Sequence, residues 1–249
     1  MKKNYCLFVF AILCSYQTIN CQTLKHKPTE VTSSNVQSIY QKAIANAAYP
    51  EPKEIDSNLI AITDNNPNLI WKTINNEKYL LVVSWKQDAS YYKKSLDTIY
   101  NTGTRPIWIS TAPELKNRFK KLHPTDTVSR LNQLLGLTPN SAYKYFIEFW
   151  VKPADLFRAC PDKDITDKYC STCFPNNVDE DHKKWINETR INSYYGCELY
   201  SQYPWTQLGY TFDWNPSNKS HIGLSEFVIG YNKNIYVKAI YSNHDYLSK

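Results

Sequence analysis

Leu69-Ile70-Trp71-Lys72-Thr73-Ile74-Asn75-Asn76-Glu77-Lys78-Tyr79-Leu80-Leu81-Val82-Val83-Ser84-Trp85-Lys86 is the stretch that decides the fold. Two runs rich in aliphatic and aromatic residues, Leu69 to Ile74 and Lys78 to Trp85, flank the turn-forming Asn75-Asn76-Glu77. That pattern predicts an antiparallel hairpin. The second run contains Leu80-Leu81-Val82-Val83, apolar on both faces that alternate along a strand, which predicts a strand covered on both sides.

Upstream, Ser33 or Ser34 caps a helix running to about Ala48, with Val36, Ile39, Tyr40, Ala43, Ile44 and Ala47 on one face and Pro50 and Pro52 ending it. Asn58 to Thr63 reads as a short strand before the turn residues Asp64 to Asn68. Downstream, Arg105 to Ser110 is a strand with Ile107 and Ile109 on one side and Trp108 on the other. Two helices follow. The first has Pro113 in its opening turn and a Leu115, Phe119, Leu122 stripe; the second is capped by Thr125 or Asp126 and closed by Gly136. Tyr143 to Val151 is a central strand and Asp179 to Tyr195 a helix. Trp205 to Trp214, Gly223 to Ile229 and Asn234 to Tyr241 are strands. Residues 33–249 therefore read as a single α+β domain, a mainly antiparallel sheet with three to four helices packed against it.

Residues 1–21 read as a signal peptide. Lys2 and Lys3 precede the apolar run Tyr5 to Leu13, then comes the polar stretch Ser15 to Asn20. A lipoprotein signal is the alternative, with an acyl chain on Cys21 as the one route to a membrane. Residues 22–32 read as a flexible N-terminal segment. Loss of Lys2 and Lys3 takes the formal charge from +6 to +4. Neither a basic block nor an interleaved aromatic motif occurs, so no nucleic-acid partner is expected. The expected location is secreted, periplasmic or at the cell surface.

Only six glycines occur, none closer than seven residues to the next, which excludes the Gly-rich dinucleotide and Walker loops and the nucleophile elbow. No cofactor is assigned. Of seven cysteines, Cys160, Cys170, Cys173 and Cys197 lie beyond the signal. An even number in an exported chain predicts two disulfides, from Cys160 and Cys197 to the central Cys170/Cys173 pair, stapling a loop region at 153–197. Zinc held by the same four sulfurs is the competing reading, and no metal site is assigned.

Candidate site residues concentrate between Arg158 and Glu226. Arg158, just before Asp162, Asp164 and Asp167, could clamp an anionic ligand or tie its own loop. His182, in Asp179-Glu180-Asp181-His182, is a candidate acid or an exposed helix-start residue. In Tyr203 to Trp214, strand alternation puts Trp205, Gln207, Gly209, Thr211 and Asp213 on one face and Leu208, Tyr210, Phe212 and Trp214 on the other. Trp205, Gln207, Tyr210 and Trp214 are the ligand-binding candidates, since flat aromatics beside hydrogen-bonding groups suit sugar rings. Glu226 sits mid-strand in an apolar run and, with Asp213 on a neighbouring strand, could form the carboxylate pair of a glycosidase. Three functions follow: an exported or surface-anchored domain binding a small molecule or glycan at this aromatic-polar site, an exported hydrolase using the carboxylate pair, or a structural or interaction module of the cell envelope.

Overall fold

The computed structural model describes residues 33–248; the expected signal, Cys21 and the whole segment 22–32 lie outside them. The hairpin forms as β1 (Trp71–Ile74) and β2 (Glu77–Lys86). Asn75 (φ 50°) and Asn76 (φ 64°) both take the left-handed region, as a two-residue turn between twisted antiparallel strands requires. α2 (Ser90–Lys93), β3 (Ile99–Asn101), β4 (Ile107–Thr111) and β5 (Tyr145–Val151) come next. Later strands are β6 (Leu156–Arg158), β7 (Tyr210–Phe212), β8 (Ile222–Ser225), β9 (Phe227–Ile229) and β10 (Asn234–Ser242).

The main sheet has eight strands in the order β3-β10-β5-β2-β4-β9-β6, with β1 also on β2, and all its ladders are antiparallel. β5 runs along one edge of β2 from Leu80↔Val151 to Lys86↔Tyr145. The other edge carries β1 as far as Leu80, then β4 through Val82↔Thr111 and Val83↔Ser110 alone. Ile107, Trp108 and Ile109 of β4 pair instead with β9. The sheet therefore splits beyond Val83, and the Ser84 hydroxyl donates to the Trp108 carbonyl (2.8 Å) where a ladder bond would otherwise lie.

Both faces are covered, as the doubly apolar β2 requires. One face presents Leu80, Val82, Ile147, Phe149, Ile107 and Ile109 to Ile62, Leu69 and Tyr92. The other sets Leu81, Val83, Trp85 and Phe146 against α3 (Ala112–Leu122), α4 (Thr127–Leu134) and α6 (Asn243–Leu247) through Leu115, Phe119, Leu131, Leu134 and Tyr246. α1 (Ser33–Ala47) packs Tyr40, Ala43, Ile44 and Ala47 on Phe212 and Trp214. α5 (Glu180–Tyr194), capped by the Asp179 carboxylate on the His182 N–H, packs Trp185 and Ile186 on Trp205 and Val228.

Three expected strands change. Asn58 to Thr63 joins no sheet; its backbone is held by the loop carbonyls of Lys168 and Ile165 and by the Ser225 hydroxyl. Trp205 to Trp214 keeps only Tyr210 to Phe212 as strand, because Gln207 (φ 60°) and Gly209 (φ 75°) turn the chain and cancel the two-residue period. Gly223 to Ile229 breaks at Glu226, leaving β8 paired with β7 and β9 in the main sheet.

The cysteines also depart from expectation. Cys160 and Cys170 are bridged, but Cys173 and Cys197 are exposed free thiols, so the second expected bridge is absent. Lys163 pairs with Asp179 and fixes the start of α5 beside the bridged loop, while Cys197 follows the far end of that 15-residue helix, about 22 Å along its axis. The bridge also takes two of the four sulfurs a zinc site would need. Thiol labelling of the native protein with peptide mapping should therefore modify Cys173 and Cys197 and spare Cys160 and Cys170. Labelling of all four would refute the bridge. Among the described residues no helix is long and apolar enough to cross a membrane.

Candidate functional site

A cavity of about 550 Å³ opens at the split between β2 and β4. Ser84, Trp85 and Lys86 line one side, and Trp108 and Ser110 of β4 another. α5 contributes Trp185, Thr189 and Asn192, and Tyr203, Pro204, Trp205 and Glu226 line it as well.

Trp108, Trp185 and Trp205 meet there. Their ring centroids lie 5.6 Å (Trp108 to Trp185), 6.1 Å (Trp108 to Trp205) and 5.9 Å (Trp185 to Trp205) apart. Trp108 and Trp185 are tilted to each other by 37°, and Trp205 stands edge-on to both at 84°, so the three rings pack on one another as an aromatic wall of the cavity. The Trp205 indole N–H donates to the Ala159 carbonyl (3.2 Å), and Phe157 packs edge-on against Trp185 (4.8 Å). His182 stacks on Trp185 (5.9 Å) with Nε2 2.8 Å from the Cys160 carbonyl oxygen. Burial, ahead of all other influences, holds the His182 imidazole below its ordinary pKa. His182 is thus buried behind the tryptophan wall, tying it to the disulfide loop.

Glu226 occupies the break between β8 and β9. Its N–H donates to the Gly209 carbonyl (2.9 Å), and among the described residues its carboxyl has no hydrogen-bond or ion-pair partner. Burial pushes that carboxyl up to about 8, so it is mostly protonated at neutral pH and can donate as well as accept. Gly209 shapes this corner: a Cβ there would lie 2.7 Å from Arg158 Cδ. Lys86, the last residue of β2, lines the same cavity without a partner among the described residues, and burial alone pushes its amine down to about 8. Lys86 and Glu226 line the same cavity without forming an ion pair with each other.

The remaining sequence candidates go to the interior. Asp213, 1% exposed, accepts from Arg130 Nη1 (2.9 Å) and Nη2 (2.6 Å) and from the Asn218 side-chain amide (3.0 Å). It does not line the cavity, so it and Glu226 are not brought together there. Arg158 donates to the carbonyls of Asp164 (2.9 Å), Asp167 (2.8 Å) and Ile60 (3.2 Å) over the ring of Phe227, stitching its loop to the sheet. The Gln207 amide donates to Ala47 O (3.1 Å) and the Tyr194 hydroxyl (3.0 Å). The Tyr210 hydroxyl donates to Glu54 O (2.8 Å), and the Trp214 N–H to Leu137 O (2.9 Å) and Asn132 O (3.1 Å). Each of these spends its polar group on partners inside the fold, as buried polar groups ordinarily do.

Of the sequence candidates, Trp205 and Glu226 line the cavity. Lys86, Trp108 and Trp185 were not among them. Trp108 did carry a signal: it stands alone on the side of its strand opposite Ile107 and Ile109. Among the described residues no group of three or more His, Cys, Asp or Glu side chains is placed to hold a metal ion. No protein-family model matches this sequence, and no curated protein or solved structure is significantly similar to it.

Proposed function

We propose that this is an exported domain that binds a small molecule in the cavity between β2 and β4, the ligand presenting a flat ring face and hydroxyl groups, as a sugar does. The observation that carries this reading is that Trp108, Trp185, Trp205 and the unpartnered Glu226 line one cavity. An apolar ring wall with a few convergent polar groups is the usual composition of a small-ligand site. Aromatic faces take the apolar side of a sugar ring, while a carboxyl that can donate and accept takes its hydroxyls. The Cys160–Cys170 bridge supports an oxidising compartment, which agrees with the signal pattern of residues 1–21.

A hydrolytic reading keeps one observation in its favour: Glu226 is protonated at neutral pH, as a general acid must be. Its expected partner Asp213 is held by Arg130 outside the cavity, so binding is the better-supported reading.

The test is a titration with a panel of mono- and oligosaccharides and ring-bearing metabolites, followed by tryptophan fluorescence. A ligand should quench or shift the emission, and Trp108→Ala should weaken it roughly tenfold or more, the loss expected for a stacked aromatic face of about 1–2 kcal/mol. Glu226→Gln should stay within about threefold of wild type, because the amide also donates and accepts. Unchanged affinity in Trp108→Ala would refute the site.

A further inference from the structure

We propose that the ligand of this cavity is a small organic acid whose carboxylate is taken by the ammonium of Lys86. The inference rests on the small-molecule reading above and narrows its ligand class.

Among the described residues Lys86 and Glu226 are the only Lys, Arg, Asp or Glu side chains that line the cavity. Lys86 is half-buried, and a lysine drawn out of water is usually paired, because an isolated charge there is poorly solvated. Lys86 has no ion pair or hydrogen bond at its amine among the described residues, and no charged group near enough to shift its ionisation. Glu226 does not supply the missing counter-charge: it forms no ion pair with Lys86, and burial favours its neutral carboxyl. The other titratable groups on the wall are Tyr143, Tyr203 and Tyr231, and burial raises the Tyr143 phenol further. The Ser84 hydroxyl is committed to the Trp108 carbonyl. At neutral pH the cavity thus carries one uncompensated positive charge at the end of β2. An incoming carboxylate completes it with a charge-assisted hydrogen bond, its ring against Trp108 and its far end within reach of the Glu226 hydroxyl.

The test uses the full chain and matched pairs of an acid and its primary amide: benzoate with benzamide, 4-hydroxybenzoate with 4-hydroxybenzamide, and glucuronate with glucuronamide. Affinities are read by ligand-observed NMR at pH 6.5. The acid of at least one pair should bind roughly ten- to a hundredfold more tightly than its amide, the span of a charge-assisted bond. Lys86→Met should abolish that preference and Lys86→Arg should keep it. As pH rises through about 8 the preference should fade with the lysine charge. Glu226 ionises over the same range, so the titration is repeated in Glu226→Gln, where the fading reports Lys86 alone. If acids and amides bind alike, or if Lys86→Met keeps the preference, the anion inference is overturned while the cavity reading stands. If no member of any pair binds, both are overturned.

Discussion

Asp213→Ala should destabilise the protein by about 3–5 kcal/mol, the loss expected when one partner of a buried ion pair is removed. Asp213 is 1% exposed, and Arg130 grips both its oxygens, at 2.9 and 2.6 Å. Without the carboxylate, the Arg130 guanidinium stays at the inner side of α4 with no counter-charge, and the Asn218 amide keeps only the Ile222 carbonyl of its two acceptors. The damage comes from the charge left behind, so the pair should show strong coupling. Arg130→Met combined with Asp213→Leu should recover most of the loss, since both charges leave together. Urea unfolding of the two single variants and the double variant measures this. A loss below about 1 kcal/mol for Asp213→Ala, the range of an exposed pair, would show that the pair is screened by solvent.

Glu226 should behave in the opposite way. Its carboxyl ionises near 4.5 in the unfolded chain and near 8 in the folded protein. Folding therefore favours the protonated form. The stability associated with that proton is fully present below about pH 4.5 and is lost as pH rises through about 8. The full shift sets a ceiling of roughly 5 kcal/mol; the carboxyl lines a cavity that water can enter, which brings the expected loss to about 2–3 kcal/mol. Glu226→Gln keeps the shape and cannot ionise, so it should match wild type near pH 4.5 and exceed it increasingly toward pH 8. Glu114, buried beneath Ser225 and pushed up to about 7 chiefly by burial, imposes the same trend on both proteins and cancels in the comparison. Lys86 acts oppositely, adding stability only above about pH 8. Urea midpoints from pH 4.5 to 8 give the answer, and parallel curves for the two proteins would rule out a desolvated Glu226.

Much of the architecture was legible from local pattern. The hairpin at Asn75-Asn76, the doubly covered β2, and the helices closed by Pro50, opened at Pro113 and capped by Asp126 and Asp179 all follow from short-range backbone chemistry. The site was legible only in part. Trp205 and Glu226 stood out as polar or amphipathic groups in unexpected company, and they do reach the cavity. Lys86 gave no signal, because a lysine closing a strand ordinarily points to water. Gln207, Tyr210 and Trp214 looked like ligand groups, yet each hydrogen-bonds a backbone carbonyl inside the fold. Their partners, Ala47, Glu54 and Leu137, lie 70 or more residues away in the chain, beyond the reach of any periodicity.

The sequence by itself determined the antiparallel α+β class, the hairpin, the covered sheet and the helix boundaries, since these depend on propensities and periods within a few residues. Only the tertiary structure decided which carboxylate is tied into the fold and which faces the cavity. Arg130 comes from α4 to neutralise Asp213, and no side chain among the described residues hydrogen-bonds or ion-pairs with the Glu226 carboxyl. The cavity itself exists because β4 leaves β2 after Val83↔Ser110 to join β9. That choice between two partner strands is a long-range competition that neither strand's own residues encode.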